Sequence, residues 1–92
     1  MPTFPVMVHG APVRLSAPQW DALCALVAAL TRRQQTTFLP WDIFPARAPQ
    51  GRTRRQLLVT LASKGVLERV AAGYQLAAGV ADQVQAAMPQ DA

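Results

Sequence analysis

The sequence predicts a single α+β domain with an N-terminal β-hairpin, three core helices, a C-terminal β-hairpin and a short final helix. Three observations support this fold class. A chain of 92 residues, of which 51% are hydrophobic, closes around one core. Apolar and polar residues alternate around glycine-containing turns in two regions, 4–15 and 66–77. Elsewhere, apolar residues recur with helical spacing. We divide the chain (1–92, one domain) into a hairpin (1–15), a core (16–78) and a final helix with a tail (79–92).

The first element is predicted to be the N-terminal hairpin. In "FPVMVHGAPVRL", two alternating apolar pairs, Val6/Val8 and Val13/Leu15, flank "HGAP", whose glycine and proline are typical of a turn. His9 is the single histidine and lies beside the turn glycine. We therefore interpret it as a turn residue rather than as a base or a ligand.

A capped helix is predicted next, from about residue 17 to residue 33. In "LSAPQWDALCALVAALTRRQ", Ser16 can accept from free backbone amides, and Gln19 can return the hydrogen bond. The buried stripe comprises Trp20, Leu23, Cys24, Val27 and Leu30. Cys24 is the only cysteine, which excludes an intrachain disulfide and any metal site built on a cysteine pair.

The segment "QTTFLPWDIFPARAPQG" predicts short elements. Thr36 to Phe38 have strand preference, and Pro40 can open a short helix that runs through Phe44. Prolines 45 and 49 keep that helix short. The aromatic residues Phe38, Trp41 and Phe44 have the spacing of core residues.

A strongly amphipathic helix is predicted for Gly51–Ser63. Its apolar side consists of Leu57, Leu58, Leu61 and Ala62. The opposite side consists of Arg52, Gln56, Val59, Thr60 and Ser63, flanked by Arg55 and Thr53. Arg54 falls on the packed side, so the three arginines of "GRTRRQ" are not equivalent. Gly65 is predicted to end this helix.

The last elements are a hairpin and a helix. "VLERV" and "GYQLA" are short alternating runs separated by "AA", and Gly73 offers the positive φ that a tight hairpin with a bulge requires. Val80, Val84 and Met88 are spaced four apart, which predicts a short final helix.

Positive charge is concentrated in the second half of the chain. The net charge is +4, and between residues 47 and 69 six basic residues stand against the single acid Glu68, a local charge of +5. The six are Arg47, Arg52, Arg54, Arg55, Lys64 and Arg69. Arginine forms forked hydrogen bonds with phosphates and guanine edges, so this distribution favours a polyanionic partner.

The order of these elements resembles the winged helix-turn-helix superfamily of DNA-binding domains. The resemblance covers residues 16–77 and rests on "LLVTLASKGVLERVAAGYQL", which is similar to a leucine-rich recognition helix followed by a β-hairpin wing. A second stretch, "VHGAPVRLSAPQWDALCALV", resembles the start of the effector domains of OmpR-type response regulators. We expect no receiver domain, so only the sheet-then-helix geometry of that family is carried over.

The resemblance implies that helix 51–63 enters a major groove of DNA with its N-terminal residues nearest the bases. Arg52, Arg55 and Gln56 are of the types that pair with guanine or adenine edges, and they are the expected base contacts. Val59 suits a thymine methyl group or no contact.

The remaining expected DNA-binding residues would contact the backbone. Three hydroxyl residues could bond phosphates or fill space, and the others are basic, with Arg69 in the wing and Arg47 before the recognition helix. These residues are Thr53, Arg54, Thr60, Ser63, Arg69 and Arg47.

We therefore expect a small sequence-specific binder of double-stranded DNA, a cytoplasmic transcriptional repressor or regulator that acts as a homodimer. One alternative is a winged-helix protein-interaction module, an inhibitor or adaptor such as a phage or plasmid encodes, whose basic face contacts an acidic protein. Another is a structural adaptor in a nucleoprotein assembly with non-specific DNA affinity. A plain solvated surface is the remaining reading of the arginines.

Other function classes have little support in the sequence. The carboxylates are scattered, no nucleophile has a base nearby, and no glycine-rich loop could hold phosphate, so we expect no enzyme, no cofactor and no metal. The longest uncharged apolar run, residues 22–30, is too short for a membrane span, and we expect no membrane partner.

Overall fold

The computed structural model describes residues 3–45 and 51–87, which form five strands and four helices. In chain order these are β1 (Phe4–Val8), β2 (Ala11–Leu15), α1 (Ala17–Arg33), β3 (Thr37–Phe38), α2 (Pro40–Ile43), α3 (Gly51–Ser63), β4 (Leu67–Val70), β5 (Gly73–Leu76) and α4 (Val80–Ala87). The predicted α+β class is confirmed, with an N-terminal hairpin, helices, a C-terminal hairpin and a short final helix. The radius of gyration is 12.4 Å, the value of a compact domain of this length.

The N-terminal hairpin turns at the two residues expected. Val6 lies opposite Val13 in the antiparallel pair β1–β2. His9 and Gly10 connect the strands with φ angles of 50° and 82°. Two positive φ values in a two-residue loop are typical of a type I′ turn, whose twist matches the twist of the strands. The prediction that His9 is a turn residue is confirmed.

The prolines of this hairpin lie where no N–H is needed. Met7 is opposite Pro12 and Pro5 is opposite Arg14. Because a proline cannot donate to the partner strand, these are the positions whose backbone groups point outward. At Met7 the side-chain amide of Gln83 occupies the edge: it accepts from the Met7 N–H at 2.7 Å and donates to the Met7 carbonyl at 2.8 Å. The outer edge of β1 therefore offers little to a further strand.

Helix α1 has the predicted bounds and the predicted capping box. The Ser16 hydroxyl accepts from the Gln19 amide at 3.4 Å, and the Gln19 side chain accepts from the Ser16 amide at 2.8 Å. Leu23, Val27 and Leu30 are buried as predicted. The other two members of the predicted stripe, Trp20 and Cys24, are partly buried and pack against the core.

The second sheet joins the middle of the chain to the C-terminal hairpin. Its order is β3-β5-β4, antiparallel throughout, so β3 is an edge strand as predicted. Gly73 begins β5 with φ +133°, which confirms the expected positive φ. The final helix α4 is confirmed through the buried Val80 and Val84, whereas Met88 lies outside the described residues.

One predicted core aromatic is exposed. Phe38 and Phe44 are buried, but Trp41 is 58% exposed, so its predicted core position was wrong. Helix α2 spans only Pro40–Ile43, and a single turn can bury one side only. Pro40 and Ile43 occupy that side, which leaves Trp41 facing solvent. None of the helices in the described ranges is long and apolar enough to cross a membrane.

Candidate functional site

Helix α3 has the bounds that its amphipathic pattern predicted. Its inner residues Leu58 and Leu61 are fully buried, and the helix packs against α1 and β4. At its end the Val66 amide donates to the Leu61 carbonyl and the Gly65 amide to the Ala62 carbonyl, both at 3.1 Å. This is the Schellman pattern, which requires a left-handed residue, and Gly65 supplies it with φ +86°.

The outer side of α3 carries a shallow groove of about 260 Å³, lined by Arg52, Arg55, Gln56 and Val59. We call it the α3 groove. The four residues follow the i, i+3, i+4, i+7 spacing of one helix face. Arg52 and Gln56 are exposed, as the helical projection predicted, and Val59 is 62% exposed. Such an exposed valine contributes no core packing.

The Arg55 side chain is less exposed to solvent than the other three residues that line the α3 groove. It is half-buried, and its Nε atom is inaccessible to solvent with no hydrogen-bond partner among the described residues. The helical projection placed Arg52 on the outward side of the helix and Arg55 on its flank, and both were expected base contacts. Because its stem is packed, Arg55 loses less side-chain entropy than Arg52 when its terminal nitrogens bind a partner.

Arg54 points to the packed side of α3, as predicted. Its guanidinium carbon lies 5.5 Å from the centre of the Phe44 ring, a cation–π contact. Its terminal nitrogen lies 3.9 Å from a carboxylate oxygen of Asp21, which is largely exposed. Arg54 thus joins the start of α3 to Phe44, which directly follows α2, and to the first turns of α1. Its expected phosphate contact remains a prediction.

We predict that Arg54→Ala lowers the free energy of unfolding by about 1 kcal/mol, because the cation–π contact and the packed stem are lost. Arg52→Ala is the matched control: it removes the same charge from the same helix turn, but at an exposed position, and it should leave stability unchanged. Urea denaturation followed by circular dichroism measures both. Equal destabilisation by the two variants would contradict the distinction between them.

Two of the predicted hydroxyl contacts are already engaged within the helix. The Thr60 hydroxyl donates to the Gln56 carbonyl at 3.3 Å, and the Ser63 hydroxyl donates to the Thr60 carbonyl at 2.7 Å. A phosphate only accepts hydrogen bonds, so either hydroxyl must leave its carbonyl before it can bind one. Thr53 is exposed on the first turn of α3 and makes no such bond among the described residues.

The C-terminal hairpin presents one cation beside its tip. Arg69 is exposed on β4, opposite Tyr74. Glu68 points to the other face of the strand, with its carboxylate 3.9 Å from the His9 ring nitrogen. The tip consists of Ala71 and Ala72, which carry no donor side chain. Arg47, the other expected backbone contact, lies outside the described residues.

Lys64, one of the six clustered basic residues but not one of the expected DNA contacts, lies at the end of α3. The Lys64 side chain donates to the Arg14 carbonyl at 2.9 Å, which joins the C-terminus of α3 to β2. Arg14 is exposed. The two residues are 50 positions apart, so no local pattern could have revealed that the Lys64 side chain contacts the Arg14 backbone.

The titratable groups of the described residues were compared with the needs of a metal site and of a reactive thiol. Within residues 3–45 and 51–87, no group of three His, Cys, Asp or Glu residues could hold a metal ion. Burial, and to a lesser extent the nearby charge of Asp21, raises the pKa of the Cys24 thiol. That thiol therefore stays protonated near neutral pH, the form in which it is a poor nucleophile.

The α3 groove thus combines two arginines, a glutamine and an exposed valine on one helix face, while Arg54 is held against Phe44. No acidic residue lies in the first turn of the helix. Comparison with protein-family models, with curated proteins and with solved structures finds no match to this chain.

Proposed function

We propose that this protein is a winged helix-turn-helix domain that binds double-stranded DNA sequence-specifically, as a small transcriptional repressor or regulator. In this proposal α2 and α3 are the helix-turn-helix, α3 enters the major groove, and the hairpin β4–β5 is the wing. The observation that carries the proposal is the α3 groove, in which the residue types that read base edges share one open helix face.

The electrostatics of α3 support an anionic partner. Arg52 and Arg55 lie in the first turns, where the helix dipole is already positive and cations are mildly unfavourable. No acid in that turn offsets them. A polyanion would relieve the repulsion, because phosphates favour both the dipole end and the guanidinium groups.

The expected contacts divide into two classes. Arg52, Arg55 and Gln56 would donate to base edges, and Val59 would contact a thymine methyl group. Thr53 at the start of α3, Arg69 beside the wing tip and Lys64 at the end of α3 would contact phosphates. Base contacts specify sequence, whereas phosphate contacts set the position of the protein on the duplex.

A homodimer on a two-fold site is part of the proposal, since one small module makes few contacts. Strand pairing between copies along β1 is disfavoured, because Pro5 offers no donor and Gln83 already occupies the Met7 backbone groups. The interface would then be formed by outward faces of α1 or α4 rather than by this sheet edge.

Selection of bound duplexes from a random pool tests the proposal. We expect a preferred sequence with two related half-sites, and an affinity that falls steeply as salt is raised. An enriched pool with no preferred sequence would indicate the adaptor alternative. Failure to retain any duplex at low salt would exclude DNA binding by the described surface.

A protein-interaction module is the second candidate function, and the exposed Trp41 favours it. Exposed tryptophans are frequent anchors of protein interfaces, and this one lies on the helix that packs against α3. A pull-down that retains a stoichiometric protein and no DNA would support this candidate. Trp41→Ala should then release the partner. If the variant retains the partner with unchanged affinity, Trp41 is not the anchor.

A further inference from the structure

A second, larger cavity lies away from the α3 groove. It has a volume of about 510 Å³, is partly open to solvent, and lies between the C-terminal half of α1, the end of β5 and the start of α4. Its apolar wall includes Val27, Leu30 and Ala77, all of them buried, together with Leu76 and Ala81. Cavities of this size with mostly apolar walls are typical of small-molecule sites.

Hydrogen-bonding side chains surround this apolar wall. Gln34, Gln35 and Gln75, whose side chains end in amides, and Thr31 and Thr36, whose side chains carry hydroxyls, are also lining residues. The Thr31 hydroxyl already accepts from the Gln85 side chain at 3.1 Å. Gln34 is held in the left-handed conformation at the end of α1, where its backbone amide donates to the Leu30 and Thr31 carbonyls. A side-chain amide can both donate and accept hydrogen bonds, so these residues can pair with an uncharged donor or an uncharged acceptor of a ligand.

The charge of the cavity differs from that of the rest of the chain. The net charge of the protein is +4, yet among the described residues no arginine or lysine lines this cavity, and Asp82 is the one ionisable residue that does. The negative end of the α1 dipole and the positive start of α4 meet there and partly offset each other. An anionic ligand would find no cationic partner and would be repelled by Asp82.

The shape of the cavity favours a small molecule over a protein surface. The large hydrophobic residues that are exposed in the described chain are Met7, Trp41 and Val59, and none of them lines the cavity. Three of its apolar lining residues, Val27, Leu30 and Ala77, are buried, so a flat partner would cover little of their surface. We infer that the cavity between α1, β5 and α4 binds a small non-anionic molecule with an apolar body and a hydrogen-bonding group.

N-phenyl-1-naphthylamine, an uncharged aromatic amine that fluoresces in apolar surroundings, is a suitable probe. We expect saturable binding of one probe per chain. Ala81→Phe should weaken it by about tenfold or more, because the larger side chain fills the cavity from α4. The matched control Ala86→Phe adds the same ring to an exposed position of the same helix that does not line the cavity, and it should leave the affinity unchanged.

Thr31→Phe fills the cavity from the opposite wall and replaces Ala81→Phe if that variant does not fold. Equal probe affinity in the native and both filled variants would overturn the inference. Tighter binding of the anionic analogue 1-anilinonaphthalene-8-sulfonate would also overturn it. A stable dimer that either filled variant dissociates in sedimentation would overturn it as well, because a second copy would then occupy the cavity.

The variant Arg52→Ala with Arg55→Ala should bind the probe with unchanged affinity. This result would separate the present inference from DNA binding, which the same variant should weaken.

Discussion

Arg52→Ala combined with Arg55→Ala is expected to weaken binding to a selected duplex by about 2 to 4 kcal/mol, or roughly 30- to 1,000-fold. Both side chains line the α3 groove, and each is of the type that pairs with two acceptors of a guanine edge. The preference between the selected sequence and a random duplex should fall with the affinity. The slope of log affinity against log salt concentration should change less than it would on loss of two phosphate contacts, because base contacts release few counterions.

The matched control is Arg32→Ala combined with Arg33→Ala. These two arginines are exposed in the last turn of α1, and their removal changes the net charge by the same amount. The control variant should leave the contact between Arg54 and Asp21 intact, because Arg32 lies about 16 Å along α1 from Asp21. A loss of affinity as large as that of the groove variant would show that total charge, rather than the α3 groove, governs binding. Fluorescence anisotropy titrations at two salt concentrations measure all of these affinities.

Gly73→Ala is expected to lower the free energy of unfolding by about 3 to 5 kcal/mol. Gly73 has φ +133°, a backbone conformation that residues with a Cβ atom rarely adopt. A Cβ there would also collide with the Phe38 carbonyl oxygen and lie 2.9 Å from a Leu39 side-chain carbon. Because the obstacle is backbone, no rotamer change relieves it, and β3 must move away from β5.

Gly10→Ala is the control for the backbone conformation alone. Gly10 has φ +82°, and a Cβ added to it meets nothing within 4 Å. This variant should cost only about 1 kcal/mol, the penalty of a left-handed residue. Urea denaturation followed by circular dichroism compares the two variants. Similar losses at Gly10 and Gly73 would mean that the approach of β5 to Phe38 does not limit stability.

The amphipathic pattern of α3 was sufficient to predict both its bounds and its faces. Leucines at helical spacing leave one way to bury the helix, and Gly65 provides the residue that ends it. The same reasoning predicted the capping box of Ser16 and the turn at His9, because both depend on residues within a few positions of each other. The sequence therefore predicts helix bounds, caps and turns well where they depend on residues that are close to each other in the chain.

Exposure within the candidate site was harder to predict. A one-turn helix has no periodicity, so the pattern could not reveal that Trp41 faces solvent while Phe44 is buried. The half-buried state of Arg55 depends on what packs around the start of α3. The link from Lys64 to Arg14 joins residues 50 positions apart. Each depends on neighbours that are distant in sequence.

The sequence by itself determined the elements, their order, the outward face of α3 and the excess of positive charge around it. These follow from spacing, capping and turn chemistry, which act over a few residues. Only the tertiary structure decided that Arg54 contacts Phe44 and approaches Asp21, that Gln83 occupies the edge of β1, and that a cavity lies between α1, β5 and α4. Those features arise where separate elements meet, and the free energy of packing the core brings these elements together.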